Sequence, residues 1–438
     1  MPRRPPPVRK PPPPVRLTIH HIGAEGDGIG RLPDGTPIYV PQTLPGETIQ
    51  AVPLRPRGDG WIARATAIET RASDRVAAPC PYFGHCGGCS LQHWAGPAYA
   101  AWKRGLLDAA LRRAGFAPLP EAIFIPGMPA ERRRLDFAVR RHAERIILGL
   151  HRPGSAEVED LSACLVLHPV LCGLLTPLRS VLTGLAAIRR QASLIINLLD
   201  AGPDILLRTD GDPGAADRAA LAAFAAAHGV PRLSWARGAD RPETLCLLRP
   251  AVTELSGIAV RPPPGAFLQA TRDGEAAIIA AVRAGLPPRL TSRSRVAELY
   301  AGCGTLSLAL APTIRVSAFE GDADAVAALK SAANLGGLSG RIETVHRDLA
   351  RQPLSARELS GFAAVVLDPP HAGAGPQAAQ IAASSVPVVI YVSCNPATLS
   401  RDATPLRQAG YVLHAATAID QFLWSSRLES VCVFRKPR

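Results

Sequence analysis

Between Arg295 and Lys436 the sequence alternates apolar strand-like runs with helix-like stretches, and this alternation restricts the fold more than any other feature. The runs are RVAELY (295–300), RVSAFE (315–320), RIETVHRD (341–348), FAAVVLD (362–368), VPVVIYVS (386–393), YVLHAATAI (411–419) and LESVCVFRK (428–436). Strands separated by helices form a parallel sheet with helices on both faces, an α/β fold. A seven-stranded sheet is expected, its last two strands joined by a short connection rather than a helix, which predicts an antiparallel edge. Such sheets bind ligands beyond the carboxyl ends of their strands, so residues at those ends are the first candidates for chemistry.

Composition divides the chain ahead of this region. Residues 1–16 hold eight prolines and five lysines or arginines, with no acid before Glu25. Such a segment cannot bury a core, and a disordered basic, Pro-rich arm is expected over 1–15. From 16 to 72, short apolar pieces cut by glycine, among them LTIHHIGAEGDGIGR, predict a small OB-like β-barrel. Residues 73–264 mix helix-like KRGLLDAALRRAG and DRAALAAFAAAHG with strand-like RLDFAVRR, IILGLHR and ASLIINLLD, which predicts an α+β middle domain. The run RPPPG at 261–265 is a boundary, and residues 265–438 form the alternating domain.

A formal net charge of +13 favours a polyanionic partner, most simply nucleic acid. The cluster Arg132, Arg133 and Arg134 reads as a phosphate-contacting face or a solvated one. No apolar run is long enough to span a bilayer, and the basic start lacks the apolar core of a signal peptide. A cytoplasmic monomer without membrane contact is therefore expected. Nine cysteines in that compartment serve as ligands, nucleophiles or core rather than disulfides.

Three of them, Cys80, Cys86 and Cys89, lie in CPYFGHCGGC at a C-x5-C-x2-C spacing. Gly84, Gly87 and Gly88 let the backbone wrap closely, as a metal loop requires. Three thiolates need a fourth ligand, for which Cys164 is the first candidate ahead of Cys172 and His85. The spacing favours a 4Fe–4S cluster over zinc, because a second close cysteine pair is missing. His93, His142, His151 and His168 have no metal spacing and are read as structural or solvated.

The strand ends of the alternating domain carry the remaining chemistry. In ELYAGCGTLSLALA, Gly302 and Gly304 open a strand-to-helix turn that lets a ligand approach the backbone. Glu320 ends the next strand and suits the two hydroxyls of a ribose, while Asp348 could serve an adenine amino group. A glycine turn followed by acids at successive strand ends is the adenosine-binding pattern of methyltransferases that use S-adenosylmethionine. Asp368, in Asp368-Pro369-Pro370, is projected beside the cofactor, where it can accept the N3–H of a uracil ring. In YVSCNPATLSRD a buried strand delivers Cys394 to a turn opened by Asn395 and Pro396, with a helix following.

These pieces together resemble the RNA uridine-5-methyltransferase family, and are most similar to the bacterial 23S rRNA enzymes with an N-terminal TRAM domain. The resemblance runs from residue 16 to the end through CPYFGHCGGCSLQHW, FLQAT, LYAGCGTLSLALA, DPPHAG, YVSCNPATLSRD, and DQF followed by LESVCVF. It implies a Rossmann-like class I methyltransferase domain behind a TRAM barrel and an iron–sulfur-bearing middle domain. By resemblance, Gln269, Tyr300, Thr305, Glu320, Asp348 and Asp368 fall on cofactor-binding positions, with Gln269 and Asp368 also facing the target base. Cys394 matches the nucleophile, Glu429 the general base, and Cys80, Cys86, Cys89 and Cys164 the cluster ligands. Four departures stand out: Thr305 where asparagine is commoner, His371 for arginine, Thr271 for asparagine, and Arg427-Leu428 for histidine and valine.

The implied reaction begins with a thiolate adding to C6 of uracil, which makes C5 nucleophilic. A base, for which Glu429 is the candidate, then removes the C5 proton so that the cysteine can leave. The target base must be flipped or splayed to reach such a pocket. The cluster is read as holding the middle domain's shape rather than transferring electrons. Three readings compete: a transfer-RNA uridine-5 or RNA cytosine-5 methyltransferase, a non-catalytic RNA-binding assembly factor, and an iron–sulfur electron carrier.

Overall fold

The computed structural model describes residues 10–437; most of the expected arm, residues 1–9, lies outside the described residues. The chain separates into two compact units, one ending at Lys103 and including Trp424–Arg427, the other comprising Arg104–Leu423 and Leu428–Arg438.

The first unit is built on a six-stranded sheet with spatial order Val15–Thr18, Thr48–Arg57, Gly60–Thr70, Pro37–Val40, Gly28–Arg31, His21–Ile22. Alternation sets its core: Ile49 and Ala51 point inward from one strand and pack with Leu17, Ile38, Val40 and Trp61. The glycine at position 30 is required by close approach, since a Cβ there would meet the Leu17 side chain and the Thr18 carbonyl. The short strands expected over 16–72 are therefore present, as a six-stranded sheet.

The second unit holds two large sheets. One has seven strands in the order Val158–Asp160, Arg145–His151, Arg134–His142, Gln191–Leu199, Gly202–Thr209, Arg232–Arg237, Glu243–Leu247. The helices Leu175–Gly184 and Ala215–Ala227 carry Leu178, Leu182, Leu221 and Phe224 into a core with Phe137, Val139, Leu194 and Leu207. The helix-like and strand-like runs read from the sequence of this region all form as such.

The other sheet has eight strands, where the sequence pattern predicts seven. Its order is Ile342–His346, Arg315–Glu320, Arg295–Leu299, Ala364–Leu367, Val388–Ser393, Glu429–Arg435, Val412–Ile419, Ile123–Ile125. The extra member, only three residues long, pairs in parallel with Val412–Ile419, and so short a run far upstream gives no periodic signal. The expected antiparallel element is the last strand, but it is not at the edge. Glu429–Arg435 lies between Val388–Ser393 and Val412–Ile419 and runs antiparallel to both.

All six residues of Val388–Ser393 are buried, as expected of a strand covered on both faces. One face packs Leu299, Leu367, Tyr391 and Phe434 against Leu399 and Leu406, and the other packs Val296, Val366, Ile390 and Val433 against Ile278 and Val282. The strand order reverses at Arg295–Leu299, whose successor in sequence lies on one side and Ala364–Leu367 on the other. A ligand crevice forms beyond the carboxyl ends at such a switch point. Among the described residues no helix is long and apolar enough to cross a membrane.

Candidate active site

Tyr300 follows the strand Arg295–Leu299 at φ 65°, a left-handed conformation that a tyrosine holds only under constraint. Its hydroxyl donates to the Ala374 carbonyl at 3.3 Å. Gly302 and Gly304 both have positive φ, and a Cβ on Gly304 would overlap the Leu329 side chain. The turn leads directly into the helix Thr305–Leu310, so Thr305 is its first residue. The Gly302 N–H donates to Glu320 Oε2 at 2.8 Å, and Asp322 N–H to Glu320 Oε1 at 2.8 Å, which fixes the carboxylate across the glycine turn. Asp348 lies past the adjacent strand and accepts the Ala350 N–H at 3.0 Å. These positions gather at the switch point, and their donor set fits an adenosyl cofactor: backbone bared by two glycines, with carboxylates at neighbouring strand ends.

The Asp368 carboxylate accepts the Gln269 amide Nε2–H at 2.9 Å. Gln269 Oε1 accepts from Gln421 Nε2 at 2.9 Å, and the same Gln421 nitrogen donates to Glu429 Oε2 at 2.7 Å. Asp368, Gln269, Gln421 and Glu429 thus form one continuous chain of hydrogen bonds. Burial pushes the Asp368 carboxyl up to about 6. It raises Glu429 well above the ordinary carboxylate range, and the negative charge of Asp368 adds to the effect. Glu429 is 3% exposed, and its Oε1 is buried without a hydrogen-bond partner.

Cys394 stands one residue beyond the strand Val388–Ser393. The ladder ends on the pair Ser393 and Ser430, with Cys394 the next residue along one chain segment and Glu429 the next along the other. Asn395 caps the following helix, Pro396–Gln408, by accepting the Ala397 N–H, and Pro396 occupies its first turn.

The same helix grips the loop that follows Asp368. Asn395 Nδ2 donates to the His371 carbonyl at 3.1 Å, and Arg401 to the Ala372 carbonyl at 2.7 Å. Asp402 Oδ2 accepts both the Ala374 N–H and the Tyr391 hydroxyl, the latter at 2.7 Å. The D-P-P loop and the cysteine turn are therefore tied together by hydrogen bonds.

Two residues of this site escape the sequence reading. Gln421 lies in the noted DQF run, but an uncharged side chain gives no signal of where its amide points. Asp402 is visible only as the end of S-R-D. The arginine cluster is also corrected: Arg133 is neither solvated nor on a phosphate face. It is buried, pairs with Glu275 at 2.6 Å and donates to the Gln269 carbonyl at 3.0 Å. Arg134 lies over the Phe267 ring and Arg132 over Phe422. Thr271, one of the departures, caps the helix Arg272–Gly285 by accepting the Gly274 N–H.

Cys80, Cys86 and Cys89 belong to the first unit and Cys164 to the second. The Gly88 N–H points to Cys86 Sγ at 3.4 Å, and the Cys80 N–H donates to Gln92 at 3.1 Å. Among the described residues no group of three or more His, Cys, Asp or Glu side chains is assembled to hold a metal ion.

Residues 289–437 match the family model for tRNA (uracil-5-)-methyltransferase. Over nearly its full length the chain is 37% identical to an uncharacterized RNA methyltransferase of Mesorhizobium japonicum, covering 97% of this chain and 98% of the relative. It is 34% identical to the 23S rRNA (uracil(1939)-C(5))-methyltransferase RlmD of Chromohalobacter salexigens, covering 96% and 89%. Among solved structures it shares its fold with the tRNA (uracil-54, C5)-methyltransferase of Pyrococcus abyssi in complex with S-adenosyl-L-homocysteine. That match has a TM-score of 0.69 at 19% identity and covers 96% of this chain and all of the other.

Proposed function

This chain belongs to the family of S-adenosylmethionine-dependent RNA (uracil-5-)-methyltransferases, and we propose that its substrate is a uridine of 23S ribosomal RNA. The ribosomal choice is supported by the resemblance to RlmD over 96% of the chain. The observation that supports the catalytic assignment is the rung Ser393–Ser430, beyond which the two segments continue to Cys394 and to Glu429, with Glu429 in electrostatic reach of Asp368.

Cys394 Sγ adds to C6 of the uracil, and the electron pair of the C5–C6 bond moves toward the C4 oxygen as an enolate. Gln269, Tyr300, Gly302, Gly304, Thr305, Glu320, Asp348 and Asp368 would hold S-adenosylmethionine, whose sulfonium would give its methyl group to C5 and leave as the neutral thioether S-adenosylhomocysteine. Glu429 removes the C5 proton, the double bond reforms and the thiolate leaves. Asp368 and Gln269 face the base: the carboxylate accepts N3–H, a hydrogen that neutral cytosine lacks. Burial serves both acids, because an uncompensated carboxylate in a dry site is a stronger base.

The six-stranded sheet acts as a TRAM-type RNA platform over 16–72, beside the basic arm at 1–15, a cluster-bearing domain over 73–264 and the methyltransferase domain over 265–438. Cys80, Cys86, Cys89 and Cys164 bind a 4Fe–4S cluster, a reading supported by the spacing and by the Gly88 N–H at Cys86. No catalytic step depends on the cluster. Iron and sulfide analysis of anaerobically purified protein tests it, and Cys86→Ser should lower both. The protein acts as a cytoplasmic monomer.

The test of substrate supplies labelled S-adenosylmethionine with unmodified 23S rRNA and, separately, transfer RNA. Label in 5-methyluridine of 23S rRNA is expected. Label in transfer RNA alone would overturn the ribosomal assignment, and label in 5-methylcytidine would overturn the reading of Asp368.

A further inference from the structure

Gln421 has its amide orientation determined by its neighbours. Its Oε1 accepts the Ala270 backbone N–H at 3.1 Å, so its nitrogen must face the other side. There it meets two acceptors, Gln269 Oε1 at 2.9 Å and Glu429 Oε2 at 2.7 Å, one for each amide hydrogen. A flipped amide would set oxygen against two oxygens and nitrogen against a donor, losing all three bonds. The orientation passes on to Gln269, whose oxygen is held by Gln421 and whose nitrogen must therefore donate to Asp368.

Resting on the reaction assigned above, we propose that Gln421 is a positioning residue for proton removal. It holds Glu429 Oε2 and reserves Oε1 as the atom that takes the C5 proton. In that step the C5–H electron pair becomes the C5–C6 double bond, the C6–S bond breaks with its pair leaving on Cys394 Sγ, and the proton passes to Glu429 Oε1. Oε1 is the buried oxygen of Glu429 that has no hydrogen-bond partner, so no protein donor competes for it. The second amide hydrogen of Gln421 keeps Gln269 in the orientation that serves Asp368. One side chain thus couples the group that reads the base to the group that completes the reaction.

The test uses the full-length enzyme with labelled S-adenosylmethionine and uridine RNA, comparing wild type with Gln421→Leu and Gln421→Asn. Melting and S-adenosylmethionine binding identify which variant is folded, and the folded one is followed. Turnover should fall roughly 10- to 100-fold, less than the roughly 10²- to 10⁴-fold of losing a general base outright, because Glu429 itself remains. A methylated, SDS-stable protein–RNA adduct should accumulate, because release rather than methyl transfer is slowed. A hydrogen bond to the charged form of an acid lowers its pKa, so its loss should move the pH of half-maximal release upward. Normal release with an unshifted pH profile would overturn the proposal. So would a turnover loss matched by weaker ligand binding with no adduct. A wild type that makes no 5-methyluridine would instead refute the functional reading itself.

Discussion

The Ser430 hydroxyl donates to the Ser393 carbonyl at 3.1 Å on the last paired rung of two antiparallel strands. The next position on one strand is Cys394 and on the other Glu429. The proposed nucleophile and base, 35 residues apart in sequence, are thereby brought to one end of one sheet by main-chain register. A one-residue slip would send one of the two to the opposite face.

Replacing Glu429 with glutamine should separate function from stability. Turnover should fall by about 10²-fold or more while the methylated adduct persists on Cys394. Because burial raises the folded-state pKa of Glu429 above its unfolded value, the stability of the neutral form is present at acid pH and lost as pH rises. The variant should therefore melt higher than wild type at pH 8 and much like it at pH 4. Equal melting temperatures at both values would contradict this account of the site.

Recognition of the base should titrate with Asp368, whose carboxyl is raised to about 6. Above that value it is a carboxylate and accepts N3–H strongly; below it, the neutral carboxyl is a weaker acceptor. The KM for RNA should rise as pH falls from 7 to 5, a trend that Asp368→Asn should abolish together with most activity. A flat KM across that range in wild type would rule out this role.

Glu298, a buried acid in electrostatic reach of Asp368 and Glu320, offers a test of stability. It is 2% exposed, hydrogen-bonded to Ser307, and raised to about 8 by burial. The folded pKa exceeds the unfolded one, so stability should decline as pH rises from about 4.5 to 8. The slope is at most about 1.4 kcal/mol per pH unit for one proton. In Glu298→Gln that slope should be shallower, as read from denaturant midpoints at several pH values.

Gly304→Ala should damage the cofactor turn. The backbone is at φ 97°, and the new methyl would overlap Leu329. Strain and overpacking together should cost about 2 kcal/mol or more and weaken S-adenosylmethionine binding, measurable by calorimetry. Wild-type affinity in the variant would show that the turn is not part of the cofactor site.

The parts of this molecule legible in its sequence are those with a periodic or positional signal. Continuous apolar runs such as VPVVIYVS announce strands covered on both faces, and Asn395-Pro396 announces the helix after Cys394. The strand Ile123–Ile125 is too short for a period to show, and its partner lies almost 300 residues away, Thr417 pairing with Ile123. Sequence leaves Arg133 as a phosphate contact or a solvated charge, because an arginine in a basic run is usually one or the other. It is buried because Glu275, from a distant helix, neutralises it. Gln421 carries no charge and no pattern, and only the folded chain brings its amide between Gln269 and Glu429.

The central claim is that Cys394 forms a covalent bond to a uridine in RNA. The most direct measurement incubates the enzyme with S-adenosylmethionine and 5-fluorouridine-containing 23S rRNA, where fluorine replaces the proton that Glu429 must remove. The stalled complex is then digested and mapped by mass spectrometry. The account predicts a methylated fluorouridine on the peptide carrying Cys394, absent from Cys394→Ala. An adduct on another cysteine, or an unchanged yield from Cys394→Ala, would contradict it.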